Sequence, residues 1–306
     1  MNVLITGGAG YIGNELTFRL IENPEIDKII IYDNLSRRNY NLFLDTKYPE
    51  SKVKFVRGEL LDTRKIRTVL KDIDVVCHLA AKVSTPFANE DSHLFEQINH
   101  WGTAELVYAV EESNVKKFIY TSSTSIYGAS HEFIDINSTP NPKTFYGSSK
   151  LRSEPHVKRL GEKIPSYILR CGNVYGYSPS VRFDAVINRF MFEANFTGRI
   201  QISGNGMQHR AFVHVDKVVN VILNLLNHDF EPDTYNLVEK NISINEVADV
   251  VKEIYPDLEI IFINQHLTMR EILIKQDDRL KPMITRKDRT LKEELLSFKE
   301  RFAFSS

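Results

Sequence analysis

The stretch LITGGAGYIG, Leu4 to Gly13, decides how the rest of the chain is read. An apolar run leads into three glycines, Gly7, Gly10 and Gly13, spaced three residues apart. A helical pattern, YIGNELTFRLIEN, follows them. A glycine leaving a strand permits a sharp turn at positive φ. One nearer the helix start lets a pyrophosphate approach bare backbone, and the third lets the helix pack tightly on the sheet. The phosphate then meets the positive helix end, where backbone N–H groups lack partners. The spacing therefore predicts a dinucleotide turn. Asp33 closes the next apolar run, KIIIYD, where a carboxylate can accept both adenosine ribose hydroxyls and repel a 2′-phosphate. That favours NAD, while Arg37 and Arg38 just behind it keep NADP open.

Further Val- and Ile-rich runs continue outward from this turn: VKFVRG, DVVCHLA, KKFIYTSS and PSYILRCGNVYG. Between them lie helical patterns, TRKIRTVLKD, SHLFEQINHWGTAELVYAVEESN and GSSKLRSEPHVKRLGE. Strands buried on both faces and alternating with amphipathic helices predict an α/β fold of Rossmann type, a doubly wound parallel sheet covered on both sides. The expected division is a dinucleotide-binding domain over 1–173 and a smaller mixed α/β substrate lobe over 174–306, with some segments returning to the sheet. In the second part RIQISGNGMQHRAFVHV reads as a hairpin followed by a strand. No repeat or low-complexity linker separates the halves, so they are expected to pack closely.

Composition narrows the partners. Of the 306 residues, 42% are hydrophobic and 26% charged, and 39 Lys and Arg balance 40 Asp and Glu. Neither nucleic acid nor an anionic membrane is favoured by that balance. No apolar run reaches membrane-spanning length, and a cytoplasmic location is the expectation. The two cysteines, Cys77 and Cys171, lie in strand-like runs and are expected as buried thiols. The nine histidines show no metal-binding spacing; His209 and His214 are expected to be structural or on the surface, and no metal site is expected.

Tyr146 and Lys150, four apart at a helix start, share one face. A phenol titrates too high to act as a base at neutral pH unless a nearby cation favours the phenolate, and Lys150 can supply that charge. Ser123, at the end of a Ser-rich strand, can hydrogen-bond the reacting oxygen.

Together, TGGAGYIG, YDNLS, HLAA, NHWGT, YTSSTSIYG, YGSSK and RCGNVYG resemble, in order, the extended short-chain dehydrogenase/reductases, specifically the NAD-dependent epimerase/dehydratase family. The resemblance implies a triad of Ser123, Tyr146 and Lys150, with Tyr146 taking a proton from a sugar hydroxyl as the cofactor oxidises its carbon. Lys150 also holds the nicotinamide ribose. Tyr11 and Ile12 cover the pyrophosphate; Asp33, Asn34, Ser36 and Arg37 surround the adenosine ribose. Glu59, with Leu60 beside it, approaches the adenine, and Asp62 is its alternative. Leu79, Ala80, Ala81 and Lys82 border the cofactor, and Asn99 buttresses its nicotinamide end. Ser123 and Thr124 border the sugar, Asn173 and Arg210 hold its diphosphate, and Arg182 is a weaker candidate. Arg270 and Asp278 are the nearest matches to the family's C-terminal nucleotide-ribose residues. Pro155 departs from the family pattern and should kink the helix behind Lys150.

Family dehydratases carry acids where this chain has Thr124 and Ser125. The resemblance therefore implies a nucleotide-diphosphate-sugar epimerase acting at C4, with C2 kept open by DNLSRR, which is shared with CDP-tyvelose 2-epimerases. An NAD(P)-dependent ketoreductase or dehydrogenase is the alternative; a 4,6-dehydratase and a non-catalytic dinucleotide-binding regulator stand further off. A homodimer through residues 94–113 and 145–162 is also implied.

Overall fold

The structure, a computed structural model, describes residues 1–44, 48–83, 91–265 and 269–304. Its centre is a seven-stranded parallel sheet. The first half is wound from β1 (Asn2–Thr6), α1 (Tyr11–Ile21), β2 (Lys28–Asp33), β3 (Val53–Arg57) and α2 (Thr63–Val69). The second continues with β4 (Val75–His78), α3 (Ser92–Phe95), α4 (Gly102–Glu111) and β5 (Lys117–Ser123). After the short β6 (Phe133–Ile134) come α5 (Phe145–Leu160) and β7 (Ser166–Cys171). In the sheet β1 lies between β2 and β4, so the winding reverses there. A ligand crevice is expected at that reversal, beyond the carboxyl ends of the strands.

Alternation along each strand explains the layers. Val3 and Ile5 of β1, with Ile29 and Ile31 of β2, face a core that includes Leu16 and Leu20 of α1. Leu4, Ile30 and Tyr32 face the other core, with Ile66 of α2, Val107 of α4 and Val157 of α5. Such side chains are withdrawn from water on both sheet faces, each worth roughly 1.5–3 kcal/mol when fully buried.

The run PSYILRCGNVYG, expected as one strand, divides at Gly172. β7 stays in the main sheet, and β8 (Asn173–Tyr175) joins a second, three-stranded sheet. The chain then builds α6 (Val186–Thr197), β9 (Arg199–Ser203) and β10 (His209–His214). The expected hairpin is absent: β9 pairs in parallel with a distant strand, while β10 pairs with β8. Next, α7 (Val215–Asn227) and β11 (Thr234–Leu237) return to the first unit, β11 pairing with β7 at the sheet edge. β12 (Lys240–Ser243), α8 (Ile244–Ile254), β13 (Glu259–Ile263), β14 (Leu273–Ile274) and α9 (Leu291–Lys299) complete the second unit. β12 closes the small sheet against β10, β13 is the partner of β9, and β14 pairs with β6. The second core lies among α6, α8 and α9, with Phe190, Val247 and Phe298 fully buried.

Helix α5 runs through Pro155 as one element. The proline occupies an exposed position, where the loss of the backbone bond to Leu151 is least costly. Between α3 and α4 the expected single helix widens into a π turn over Glu96–Trp101. Cys77 and Cys171 are buried free thiols. His214 is buried and caps α7, accepting from Asp216 N, whereas His209 is paired with Glu271. Among the described residues no helix is long and apolar enough to cross a membrane.

Candidate active site

The turn between β1 and α1 borders a cleft of about 650 Å³ at the sheet reversal. Gly7 adopts φ +72°, and a Cβ there would lie 2.6 Å from the Ala80 backbone at the end of β4. A Cβ on Gly13 would lie 2.5 Å from Gly8 Cα, so this glycine packs the helix onto its own turn rather than onto the sheet, as the spacing had suggested. Gly10 caps α1 without a side-chain bond, leaving the first helical N–H groups to a ligand. Ile12, Leu79, Ala80 and Ala81 line the same cleft. Tyr11 lines it too, yet its hydroxyl donates to Gly176 O at 2.5 Å and anchors the second unit.

At the far end, Asp33 accepts from Ala9 N at 3.1 Å and Leu35 N at 2.8 Å. Burial raises its pKa, and these backbone donors oppose the rise. Asn34, Ser36, Arg37, Glu59 and Leu60 all line the cleft, Asn34 donating to Glu59 Oε2 at 2.9 Å. Asp62 caps α2, its carboxylate accepting from Lys65 N, and it does not line the cleft. Arg37 is already paired with Asp184 at 3.3 Å. Asp184 also holds Arg182, another cleft residue, at 3.0 Å.

Lys82 lines the cleft, with its ammonium 3.1 Å from Asp91. Asn99 does not line it. This fully buried amide accepts from Lys82 N at 2.8 Å and donates to Lys82 O at 2.9 Å and Ser149 Oγ at 3.0 Å. It fixes the segment after β4 against α5, and the π turn carries it.

Ser123 ends β5 in register with Cys171. Thr144 caps α5 by accepting from Gly147 N, presenting Tyr146 in the first turn. The Tyr146 hydroxyl is hydrogen-bonded to Ser123, which also accepts from Ser125 N and Oγ. Lys150 is 1% exposed; its ammonium donates to Thr121 O at 2.7 Å and lies 4.6 Å from the Tyr120 ring centre. The electrostatics differ from the expectation. Burial raises the Tyr146 pKa, and the opposing groups are Arg182 and Ser123, not Lys150. Burial also lowers the Lys150 pKa to about 7, so its charge is itself marginal near neutrality.

On the sugar side Thr124 is buried beside Ser123. Arg210 is partly buried; burial and the nearby Arg270 guanidinium both lower its pKa. Two close cations suit an anionic ligand, and guanidinium forks suit phosphate oxygens. Asn173 donates to Ala211 O at 3.0 Å. Asp278 is exposed, paired with Lys281, and lines a separate small pocket with Asp277 and Asn236.

The sequence matches the NAD dependent epimerase/dehydratase family over residues 3–237. The chain belongs to that family. Its relatives include dTDP-D-glucose 4,6-dehydratase of Homo sapiens, 33% identical over 241 residues that cover 77% of this chain and 68% of that protein. A putative UDP-glucose 4-epimerase of Methanocaldococcus jannaschii is 32% identical over 257 residues, covering 82% of this chain and 81% of that one. Among solved structures, UDP-glucuronic acid 4-epimerase from Bacillus cereus, in complex with UDP-glucuronic acid and NAD, has TM-score 0.84 at 25% identity, over 98% of both chains.

As a member of this family the protein is an NAD-dependent enzyme, and the cleft fits the cofactor. The uncapped start of α1 offers N–H groups to a diphosphate. Asp33 offers a carboxylate to ribose hydroxyls and, with Arg37 tied to Asp184, the cleft disfavours a 2′-phosphate. Asp184 is the site residue that sequence reasoning missed. The only local signal is its place two residues after Arg182; its partnership with Arg37 crosses 147 positions.

Proposed function

We propose that this member of the family is a nucleotide-sugar 4-epimerase. The observation that carries the reading is the setting of the Tyr146 hydroxyl. It is bonded to Ser123 and lies in the field of Arg182, and the turn that follows Ser123 carries Thr124 and Ser125 in place of carboxylates. A 4,6-dehydratase needs groups that remove the C5 proton and protonate the departing C6 hydroxyl, whereas Thr124 and Ser125 occupy the turn beside Ser123.

Bound NAD would take hydride from the sugar carbon and later return it, which is the redox chemistry of the reaction. Everything else falls to side chains. Ser123 orients the C4 hydroxyl and the Tyr146 oxygen toward each other. Tyr146 accepts the hydroxyl proton as general base and, after the sugar ring has turned over, returns it to the same oxygen. Lys150, fixed by Thr121 O, holds the nicotinamide ribose, while Arg182 and Ser123 favour the phenolate. Arg210, with Arg270 nearby, holds the diphosphate, which leaves the sugar free to rotate. Binding through the nucleotide end rather than the sugar is what permits return to the opposite face. The reading includes a homodimer through the α4 and α5 surface, where Trp101 and Tyr108 are exposed, and a cytoplasmic location.

The second reading, a dehydratase, is favoured by the 33% identity to dTDP-D-glucose 4,6-dehydratase. Proton NMR of the enzyme with UDP-glucose, UDP-N-acetylglucosamine, UDP-glucuronic acid and dTDP-glucose separates the two. The expected result is a new anomeric signal from the C4 epimer of one substrate, without added NADH. A new methyl doublet would refute the epimerase in favour of dehydration. Turnover only with stoichiometric NAD(P)H would refute it in favour of a ketoreductase.

A further inference from the structure

Lys150 is asked to hold a ribose as an ammonium, whose N–H donors serve Thr121 O and still leave others for ribose hydroxyls. Burial works against that charge. Glu154, one turn further along α5, is the carboxylate nearest in sequence, and it is committed elsewhere. It accepts from Arg170 Nε and Nη2 at 3.0 and 2.7 Å and from Ser122 Oγ at 2.7 Å. What the ammonium does meet, besides Thr121 O, is the face of the Tyr120 ring, 4.6 Å from its centre. An aromatic face attracts an ammonium within about 6 Å, most strongly where both are withdrawn from water. Tyr120 is fully buried and Lys150 nearly so.

The ring is fixed from two further directions. The Ser153 hydroxyl donates to Lys150 O at 2.6 Å, so it accepts from the Tyr120 hydroxyl at 2.5 Å. His78, in register with Tyr120 on the neighbouring β4, stacks on it at 5.2 Å and 22°. Both nitrogens of His78 are used. Thr103 Oγ1 donates to Asn99 O at 2.6 Å, so it accepts from His78 Nε2 at 2.9 Å, and His78 Nδ1 accepts from Thr6 Oγ1 at 2.6 Å. Burial and the Lys150 charge keep this imidazole neutral, so it braces the ring without adding a rival cation. The other titratable groups about Lys150 are Tyr146 and Glu154 on its own helix and Cys171 on β7.

We propose that Tyr120 is a positioning residue for the reaction assigned above. Its ring face, braced by His78 and tethered through Ser153 to the Lys150 backbone, keeps the Lys150 ammonium charged and directed at the nicotinamide ribose. The role rests on that assignment, in which Lys150 meets the cofactor as a cation.

The test uses the full chain with ¹³C at the lysine ε carbons; the resonance missing from Lys150→Met identifies Lys150. Tyr120→Phe keeps the ring and loses only its hydroxyl bond. Pentafluorophenylalanine incorporated at the same position keeps the outline of that ring and reverses the charge of its face. In the fluorinated variant Lys150 should titrate about one unit lower than in Tyr120→Phe, a tenfold weaker hold on the proton. The two rings fill nearly the same space, so a purely structural Tyr120 would leave Lys150 titrating alike in both, and that result would overturn the proposal. A fall of the same size already present in Tyr120→Phe relative to wild type would also overturn it, by assigning the effect to the hydroxyl. These titrations need no substrate and stand whether or not the epimerase reading does. With the nucleotide sugar that turns over, the falling limb of kcat against pH should move down by the same interval in the fluorinated variant. A limb that stays in place while the resonance moves would overturn the positioning role and leave the epimerase reading intact.

Discussion

Lys150 should make the stability of this protein depend on pH in a way one substitution removes. Its ammonium is 1% exposed, and burial lowers its pKa from 10.5 to about 7; Cys171 and Glu154 oppose the shift without cancelling it. Between those two values the unfolded chain keeps a proton that the folded chain releases. Stability therefore rises with pH from about 7 towards 10.5, at up to ~1.4 kcal/mol per unit, and the full interval amounts to roughly 5 kcal/mol. From about pH 7 to about pH 9 the expected gain from this residue is about 2 kcal/mol. Lys150→Met keeps a long side chain in the space and cannot titrate. Its cost is the bond to Thr121 O, and that cost is part of what the comparison of slopes reads. Urea unfolding of both proteins at several pH values gives the two slopes, and the titrating groups that do not interact with Lys150, including the buried Cys77, affect both alike. The wild-type curve should climb above the variant's by about 2 kcal/mol across the window. Parallel curves would refute the reasoning, because they would mean that the ammonium is solvated in the folded state.

Ser123→Ala removes the hydrogen bond that lowers the Tyr146 pKa, so the fraction of phenolate falls at any given pH. The rising limb of kcat/KM against pH should move to higher pH, with a loss of roughly 10²–10³-fold near neutrality. An unshifted limb would separate Ser123 from the base. Asp184→Asn removes the charge that restrains Arg37 at 3.3 Å, freeing a guanidinium at the ribose end of the cleft. Fluorescence titration should show the ratio of NADPH to NADH affinity rising by about tenfold, since bonds to charged groups are worth roughly 1.5–3 kcal/mol. A constant ratio would show that Arg37 does not reach the 2′ position.

What the sequence displays depends on how far apart the cooperating residues lie. The turn from Gly7 to Gly13 is legible because one short segment contains the strand, the close approaches and the helix start. The main sheet is legible because burial on both faces leaves unbroken runs such as KIIIYD. β9 and β10 read as a hairpin because Gly204 and Gly206, both at positive φ, look like its turn, whereas pairing is decided elsewhere. β9 lies beside β13, some 60 positions on, and nothing near β9 signals it. The π turn is equally silent in composition. It sits where Asn99 spans Lys82 and Ser149, so its cause is tertiary. The same separation governs the chemistry. Y-x-x-x-K displays Tyr146 and Lys150 as an obvious pair, and the spacing alone points to the nearby ammonium as what tunes the phenol. In the folded chain Lys150 donates to Thr121 O and burial lowers its pKa, while Arg182, 36 residues beyond Tyr146 and steadied by Asp184, acts on the hydroxyl. Since Asp184 also restrains Arg37, one carboxylate joins the ribose end of the cleft to the catalytic base. Cofactor choice and phenol acidity should therefore respond together when it is changed, which two independent sites would not do.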